Sequence, residues 1–175
     1  ETACYYAMLN GVDAIYQVTE ENLVWATTTP TDIASKMVLG TYVWDVGSLD
    51  VSVGEQKFQF QVTGSDKDTA VVTLNGESTD KERYRQFYSF LLNTTAETVK
   101  LDGEPAGEML GEIHVKTQDG KFERDLQFYA IDEFTCLITA DGKSAYTCRK
   151  TYLDTLLNNM NIYDDTSQDF TTNWS

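Results

Sequence analysis

The chain has 175 residues, with 13 Lys+Arg against 28 Asp+Glu and a formal net charge of −15. Its apolar fraction of 41%, with 12% aromatics, is enough for a packed core and rules out wholesale disorder. The charge argues against nucleic acid and anionic lipid as partners, and no apolar run approaches the ~18 residues that a membrane-spanning helix needs.

Glu1 to Leu9 lack a basic n-region, so no signal peptide is expected within this sequence. Three cysteines, Cys4, Cys136 and Cys148, are too few for a disulfide-built scaffold and lack the CxxC spacing of a zinc knuckle. Asn-Gly and Asp-Gly pairs between short alternating runs are the mark of antiparallel hairpins.

Residues 4–9 (CYYAML) and 13–19 (DAIYQVT) read as two strands around an Asn10-Gly11 turn. Thr19 is placed to cap a helix reaching about Ala26, Pro30 to open a further helical turn, and Gly40 to mark the exit. Residues 48–53 put Leu49, Val51 and Val53 on one face, and residues 57–63 do the same with Phe58, Phe60 and Val62. After a polar loop over Gly64–Asp68, residues 69–74 complete a three-stranded meander with one buried face, ended by Asn75-Gly76.

Thr79-Asp80-Lys81-Glu82 fits a capping box with Thr79 as the cap. The helix behind it, about 80–93, carries Tyr84, Phe87, Tyr88 and Leu91 as one stripe, widened by Phe90 and Leu92, with Asn93 as its stop. Residues 96–101 read as extended. Residues 111–117 and 121–130 form a hairpin about Gln118-Asp119-Gly120, and residues 134–140 and 144–150 another about Asp141-Gly142-Lys143. A helix over 151–160, opening at Thr151, has Tyr152, Leu153, Leu156 and Leu157 as its apolar side. From Asn161 the chain is acidic and polar and is expected to be loosely ordered. The fold class is therefore α+β, with antiparallel meanders and hairpins packed against a few helices.

Residues 7–23 (AMLNGVDAIYQVTEENL) parallel residues 137–153 (LITADGKSAYTCRKTYL). Each block is an extended run, a turn with Asn or Asp beside Gly, a run with a central tyrosine, then a polar helix start. Tyr16 precedes Leu23 by the same interval that separates Tyr146 from Leu153. Two readings stay open: a duplicated unit, or two instances of a common hairpin-helix pattern. Duplication would make 1–37 the C-terminal part of a first repeat, 38–160 a complete second repeat and 161–175 a polar acidic tail, in a chain cut from a longer protein.

The order of a Leu-Asp-Val-Ser-Val, Gly, Phe-Gln-Phe-Gln-Val meander, a capped Tyr/Phe/Leu helix, a Pro105 segment leading to Glu-Ile-His-Val (112–115) and Asp-Gly-Lys (119–121), and a Tyr-bearing hairpin before a Leu-rich helix resembles the bacterial domain-of-unknown-function family numbered 4340. The resemblance covers roughly residues 5–160. It implies an accessory protein held by an N-terminal transmembrane helix, absent here, that faces outside the cytoplasm. It also implies partners among the envelope or membrane proteins of an ABC-type transport complex related to gliding-motility exporters. It assigns no catalytic residue.

The residues point the same way. His114, the only histidine, alternates with Glu112 and Lys116 on a polar strand face. There is no HExxH pair, no GxSxG elbow, and neither GxGxxG nor GxxxxGK[ST]. No catalytic, cofactor-binding or metal site is expected. Asp45, Asp50, Glu112 and Asp132 stand at or near strands, where a paired-acid glycosidase would place its carboxylates, although solvated turn acids look the same. Asp66 and Asp68 beside Ser65, and Asp164, Asp165 and Asp169 in the tail, offer oxygen ligands for calcium or are solvated acidic loops. Tyr5, Tyr6, Tyr42 and Trp44 are either core residues or an exposed aromatic row.

A turn centred on Gly142 places Cys136 and Cys148 opposite each other. At a non-hydrogen-bonded site their Cα atoms would stand about 4.5 Å apart, within disulfide range. The alternative is two reduced thiols packed beside Ile138 and Tyr146. Two functions follow: a non-enzymatic extracytoplasmic accessory or binding module, or a carbohydrate-active hydrolase using paired carboxylates.

Overall fold

Alternating apolar residues need a second layer to cover one face, and the chain supplies it with helices. The computed structural model describes residues 4–8, 10–19, 23, 28–33, 35 and 37–172, apart from 94 and 95. The chain divides into two compact units, 1–34 and 35–175.

The first unit holds strands β1 (Cys4–Met8) and β2 (Ile15–Thr19), an antiparallel pair with Ala7 opposite Tyr16. A single helical turn, α1 (Pro30–Ile33), follows. Its Asp32 carboxylate accepts from both the amide and the hydroxyl of Thr29. The helix expected between Thr19 and Ala26 lies outside the described residues except for Leu23, which is buried.

The second unit is built on one nine-stranded sheet. The first meander is β3 (Val46–Val53), β4 (Gln56–Thr63), β5 (Val71–Leu74) and β6 (Glu77–Ser78). Helix α2 (Lys81–Leu92) and strand β7 (Thr98–Val99) come next. The second meander is β8 (Met109–Thr117), β9 (Glu123–Ala130), β10 (Thr135–Ala140) and β11 (Lys143–Arg149), and helix α3 (Lys150–Asn161) follows it. The spatial order is β6-β5-β4-β3-β8-β9-β10-β11-β7, and every pairing among the described residues is antiparallel. The molecule is α+β.

The local chemistry explains the element boundaries. Strand β5 starts at Val71 because Asp66 ties the preceding residues into a turn, its carboxylate accepting from the amides of Asp68 and Thr69. Gly64 is required there: its φ is +88°, and a Cβ would stand 2.5 Å from the Thr69 carbonyl oxygen. The two-residue turns Asn75-Gly76 and Asp141-Gly142 have positive φ at both positions, the geometry that matches strand twist.

Helix α2 begins one residue later than the capping box suggests. Asp80 is the N-cap, with its carboxylate accepting from the Arg83 amide at 2.7 Å. Thr79 instead donates its hydroxyl to Tyr163, and Glu82 pairs with Arg85 rather than reaching back to the cap. A carboxylate at the cap also sits at the positive end of the helix dipole, which a hydroxyl exploits less.

Helices α2 and α3 cover one face of the sheet. Phe58 and Phe60 of β4 pack on Phe87 and Tyr84 of α2, at 5.7 and 5.1 Å between ring centroids. Phe128 of β9 packs on Tyr152 of α3, which stacks on Phe90 of α2. Gly111 makes the α3 contact possible, since a Cβ there would meet the Ser52 carbonyl oxygen at 2.9 Å and lie under Leu153. Over β4-β3-β8-β9, no described element of the second unit covers the opposite face. Farther along it, the segment 100–108 crosses beside Leu137, which is buried. Ser144 donates to Gly103, and Ala130 donates to Glu108.

The segment after Asn161 is not loose. Tyr163 is fully buried against Phe58, Phe60 and Phe87, and Phe170 stacks beside it. Arg83 fastens this segment. It is 7% exposed, and its guanidinium donates to four backbone carbonyls, those of Ile162, Tyr163, Asp165 and Gln168. The Phe170 ring lies 3.6 Å from the guanidinium carbon. Asn159, also buried, closes a reciprocal pair with the Thr171 backbone. The acidic composition of the tail hides two aromatic anchors whose partners lie on α2 and β4.

In the last hairpin, Ala140 pairs with Lys143 across the two-residue turn, and a bulge between Ile138 and Thr139 shifts the register by one. That shift is what brings Cys136 opposite Cys148. The amide of Lys150 donates to the Phe134 carbonyl, so counting along the ladder makes 136↔148 a hydrogen-bonded pair, not the open type. Both side chains are buried.

Two outcomes follow for stability. Arg83→Ala strands the tail carbonyls and should cost about 3 kcal/mol, with Arg83→Lys recovering only part because an ammonium cannot span four carbonyls. Urea midpoints, together with protease cleavage within 162–172, read this out. Asp80→Ala should cost about 1 kcal/mol and more than Thr79→Ala, the reverse of the order expected if Thr79 were the cap.

Candidate functional site

The outer sheet face is a lattice set by strand register. Three rows run across β4-β3-β8-β9: Lys57–Ser52–Glu112–Gln127, Gln59–Asp50–His114–Asp125, and Gln61–Ser48–Lys116–Glu123. The alternate positions Leu49, Val51, Ile113, Val115 and Leu126 are buried, which fixes these polar residues outward. A shallow depression of about 530 Å³ lies over the first two rows, between Lys57 and Asp125.

His114 stands at the centre with a carboxylate-bearing strand neighbour on each side, Asp50 and Asp125. Its Nε2 is 3.3 Å from Glu123, and its Nδ1 is 4.0 Å from Asp125. Lys116 donates to the other Glu123 oxygen at 3.0 Å. That hydrogen bond, with the charge of Lys116 and a smaller contribution from His114, holds the Glu123 carboxyl below its ordinary range. The outer face thus sets four carboxylates, Asp50, Glu112, Glu123 and Asp125, against Lys57 and Lys116, with Lys116 and Glu123 closely paired.

The four candidate acids divide between places. Asp50 and Glu112 share the lattice with His114. Asp45 lies instead at the rim of the sheet, in a pocket of about 450 Å³ with Tyr42, Trp44, Gln118, Asp119, Lys121 and Phe122. Asp132 closes the β9–β10 turn, accepting from the amides of Phe134 and Thr135, which lower its pKa. Asp125, Glu123 and Gln127 are lattice members that alternation alone does not reveal. The β8–β9 turn carries the signal, since placing it over residues 118–121 sets 116↔123 and hence 114↔125.

The acidic loops are occupied by their own chain. Asp66 also accepts from the Thr69 hydroxyl, and Asp165 accepts from the amide and hydroxyl of Ser167 and from the Gln168 side chain. Among the described residues, no group of three or more His, Cys, Asp or Glu is arranged to hold a metal ion. Of the aromatics, Trp44 belongs to the core, 6.2 Å from the Tyr84 ring. Tyr42 is exposed at the rim, and both Tyr5 and Tyr6 are exposed on β1. At the rim, Gln118 bridges the carbonyls of Trp44 and Gly64, and Tyr88 donates to the Thr41 carbonyl. Burial pushes the Tyr88 phenol up to about 12.

Compared with known proteins, the chain matches no family model, no curated protein and no solved structure.

Asp119 supplies a pH test of the rim. The Lys121 amide, the Lys121 ammonium and the Thr117 hydroxyl lower its carboxyl to about 2. A depressed carboxyl stabilises the fold above its unfolded value near pH 4, and that contribution is lost as pH falls toward 2. Asp119→Asn should therefore be less stable than the parent at pH 5, with the gap narrowing toward pH 2. Urea midpoints for both proteins across that window measure it.

Proposed function

We propose that this chain is a non-enzymatic binding module that works outside the cytoplasm. In this reading it serves a membrane transport-type complex through protein contacts, tethered as in the family it resembles. The observation that carries this reading is the β1–β2 hairpin. Tyr6, Met8 and Ile15 are 74%, 71% and 72% exposed there, and Tyr5 and Tyr16 add further aromatic surface. Apolar side chains concentrated this way mark protein contact surfaces, and a lone two-stranded hairpin is marginal in water without a cover.

The charge supports the rest. A module with a net charge of −15 stays clear of anionic lipid headgroups and is directed to proteins instead. A paired-acid hydrolase needs one carboxyl raised in an apolar cleft. Asp32, Asp66, Glu82, Asp119, Glu123, Asp132 and Asp165 are all shifted the other way, by hydrogen bonds to their ionised form.

The test is capture of partners by the full-length protein in its native membrane. The double variant Tyr6→Ser/Ile15→Ser should weaken partner recovery about tenfold or more, the order expected for two large apolar anchors. His114→Ala, and neutralisation of Asp45, Asp50, Glu112 and Asp132, should leave the cellular phenotype near wild type. Complete loss of function from one of those polar changes, with circular dichroism unchanged, would replace the binding reading with the hydrolase.

A further inference from the structure

We propose that Cys136 and Cys148 close a cross-strand disulfide during folding, and that the core then shields the bond from exchange. The register places the two residues directly opposite on β10 and β11. As a hydrogen-bonded antiparallel pair their Cα atoms stand about 5.5 Å apart, near the commonest disulfide separation. Both lie on the face that α2 and α3 cover, 0% and 2% exposed, and as directly opposed residues they share that face side by side.

The pair is chemically unequal. The Cys148 hydrogen bond pulls the Cys136 thiol down, whereas Cys136 and burial push Cys148 up. In the undocked hairpin, where neither burial nor the mutual contact applies, either sulfur can attack first. With a small-molecule disulfide RSSR as oxidant and Cys136 first, its thiolate attacks one sulfur, forming Cys136–S–S–R and releasing RS⁻. Cys148 then gives up its proton and attacks the Cys136 sulfur, expelling the second RS⁻. One RSSR and two protein thiols become one protein disulfide and two RSH.

Neither sulfur is accessible once the helices are packed, so exchange needs the hairpin before α3 has docked, or its local opening. Helix α3 follows β11 without a break, Arg149 ending the strand and Lys150 opening the helix. A bond at Cys148 therefore anchors the strand from which α3 departs. The oxidation state recorded during folding persists in the folded protein. This inference rests on the core and is independent of the binding reading.

The experiment uses the whole chain in a Cys4→Ser background, which leaves only the pair. Reduced protein is unfolded in urea and refolded with oxidised glutathione, and thiols are counted in denaturant. Expected are no free thiols, a mass-mapped link between the 136 and 148 peptides, and a Tm raised by roughly 5–10 °C over the reduced form. Reduced protein kept folded in the same buffer should oxidise about tenfold or more slowly. Two free thiols after refolding, or glutathione adducts instead of the linked peptide, would overturn the bond. Equal rates for folded and refolding protein would overturn the shielding. Cys136→Ser should retain one thiol, and a linked dimer through Cys148 in that variant would show that the site is open.

Discussion

The pairing of β3 with β8 holds the second unit together. Each meander is local, folded back on itself by short turns. Only β3–β8, from Val46↔Thr117 to Val53↔Gly111, joins them into one sheet across some sixty residues of chain. Closing that loop is the entropically expensive step, and it is offset by burying Leu49, Val51, Ile113 and Val115 at its centre. The same register decides the outer face. A slip of one residue would turn His114 and Asp50 inward and break every row of the lattice.

Arg83 makes the helical layer continuous with the tail. Among the described residues its guanidinium has no carboxylate within ion-pair distance. It is satisfied by carbonyls, those of Ile162 and Tyr163 just beyond the end of α3 among them. Helix ends leave carbonyls unpaired and partially negative, so a buried cation there solves two problems at once. Phe170 over the guanidinium excludes water from the pairing, and Tyr163 below it extends the aromatic core of β4 and α2. The tail is thus part of the core despite carrying Asp164, Asp165 and Asp169.

What the sequence discloses is what repeats at short range. Alternation located the strands of both meanders, because each apolar residue has its counterpart two positions on. The 84–91 stripe located α2 for the same reason at helical spacing. Contacts between distant segments left no such trace. Tyr163 and Phe170 are two isolated aromatics in a polar run, and Arg83 looks like one more surface charge on a helix. The capping pattern fits Thr79 and Asp80 alike, and only the contact of Thr79 with Tyr163 separates them. For the site, residue types marked Asp50, Glu112 and His114. Their assembly into rows with Asp125 and Glu123 depended on pairing partners that alternation does not name.

The two exposed surfaces differ in what they ask of a partner. On the sheet face, Glu123 already holds Lys116 and stands beside His114, and every outward side chain of the three rows is polar. A ligand there must displace interactions that water and neighbouring charges already satisfy, so little free energy is left for binding. The β1–β2 hairpin is the opposite case. Its large side chains have nothing to lose but contact with water, and burying them is favourable for any surface of matching shape. Per side chain buried, the apolar hairpin residues therefore stand to gain more than the polar residues of the sheet face, whose hydration must first be removed.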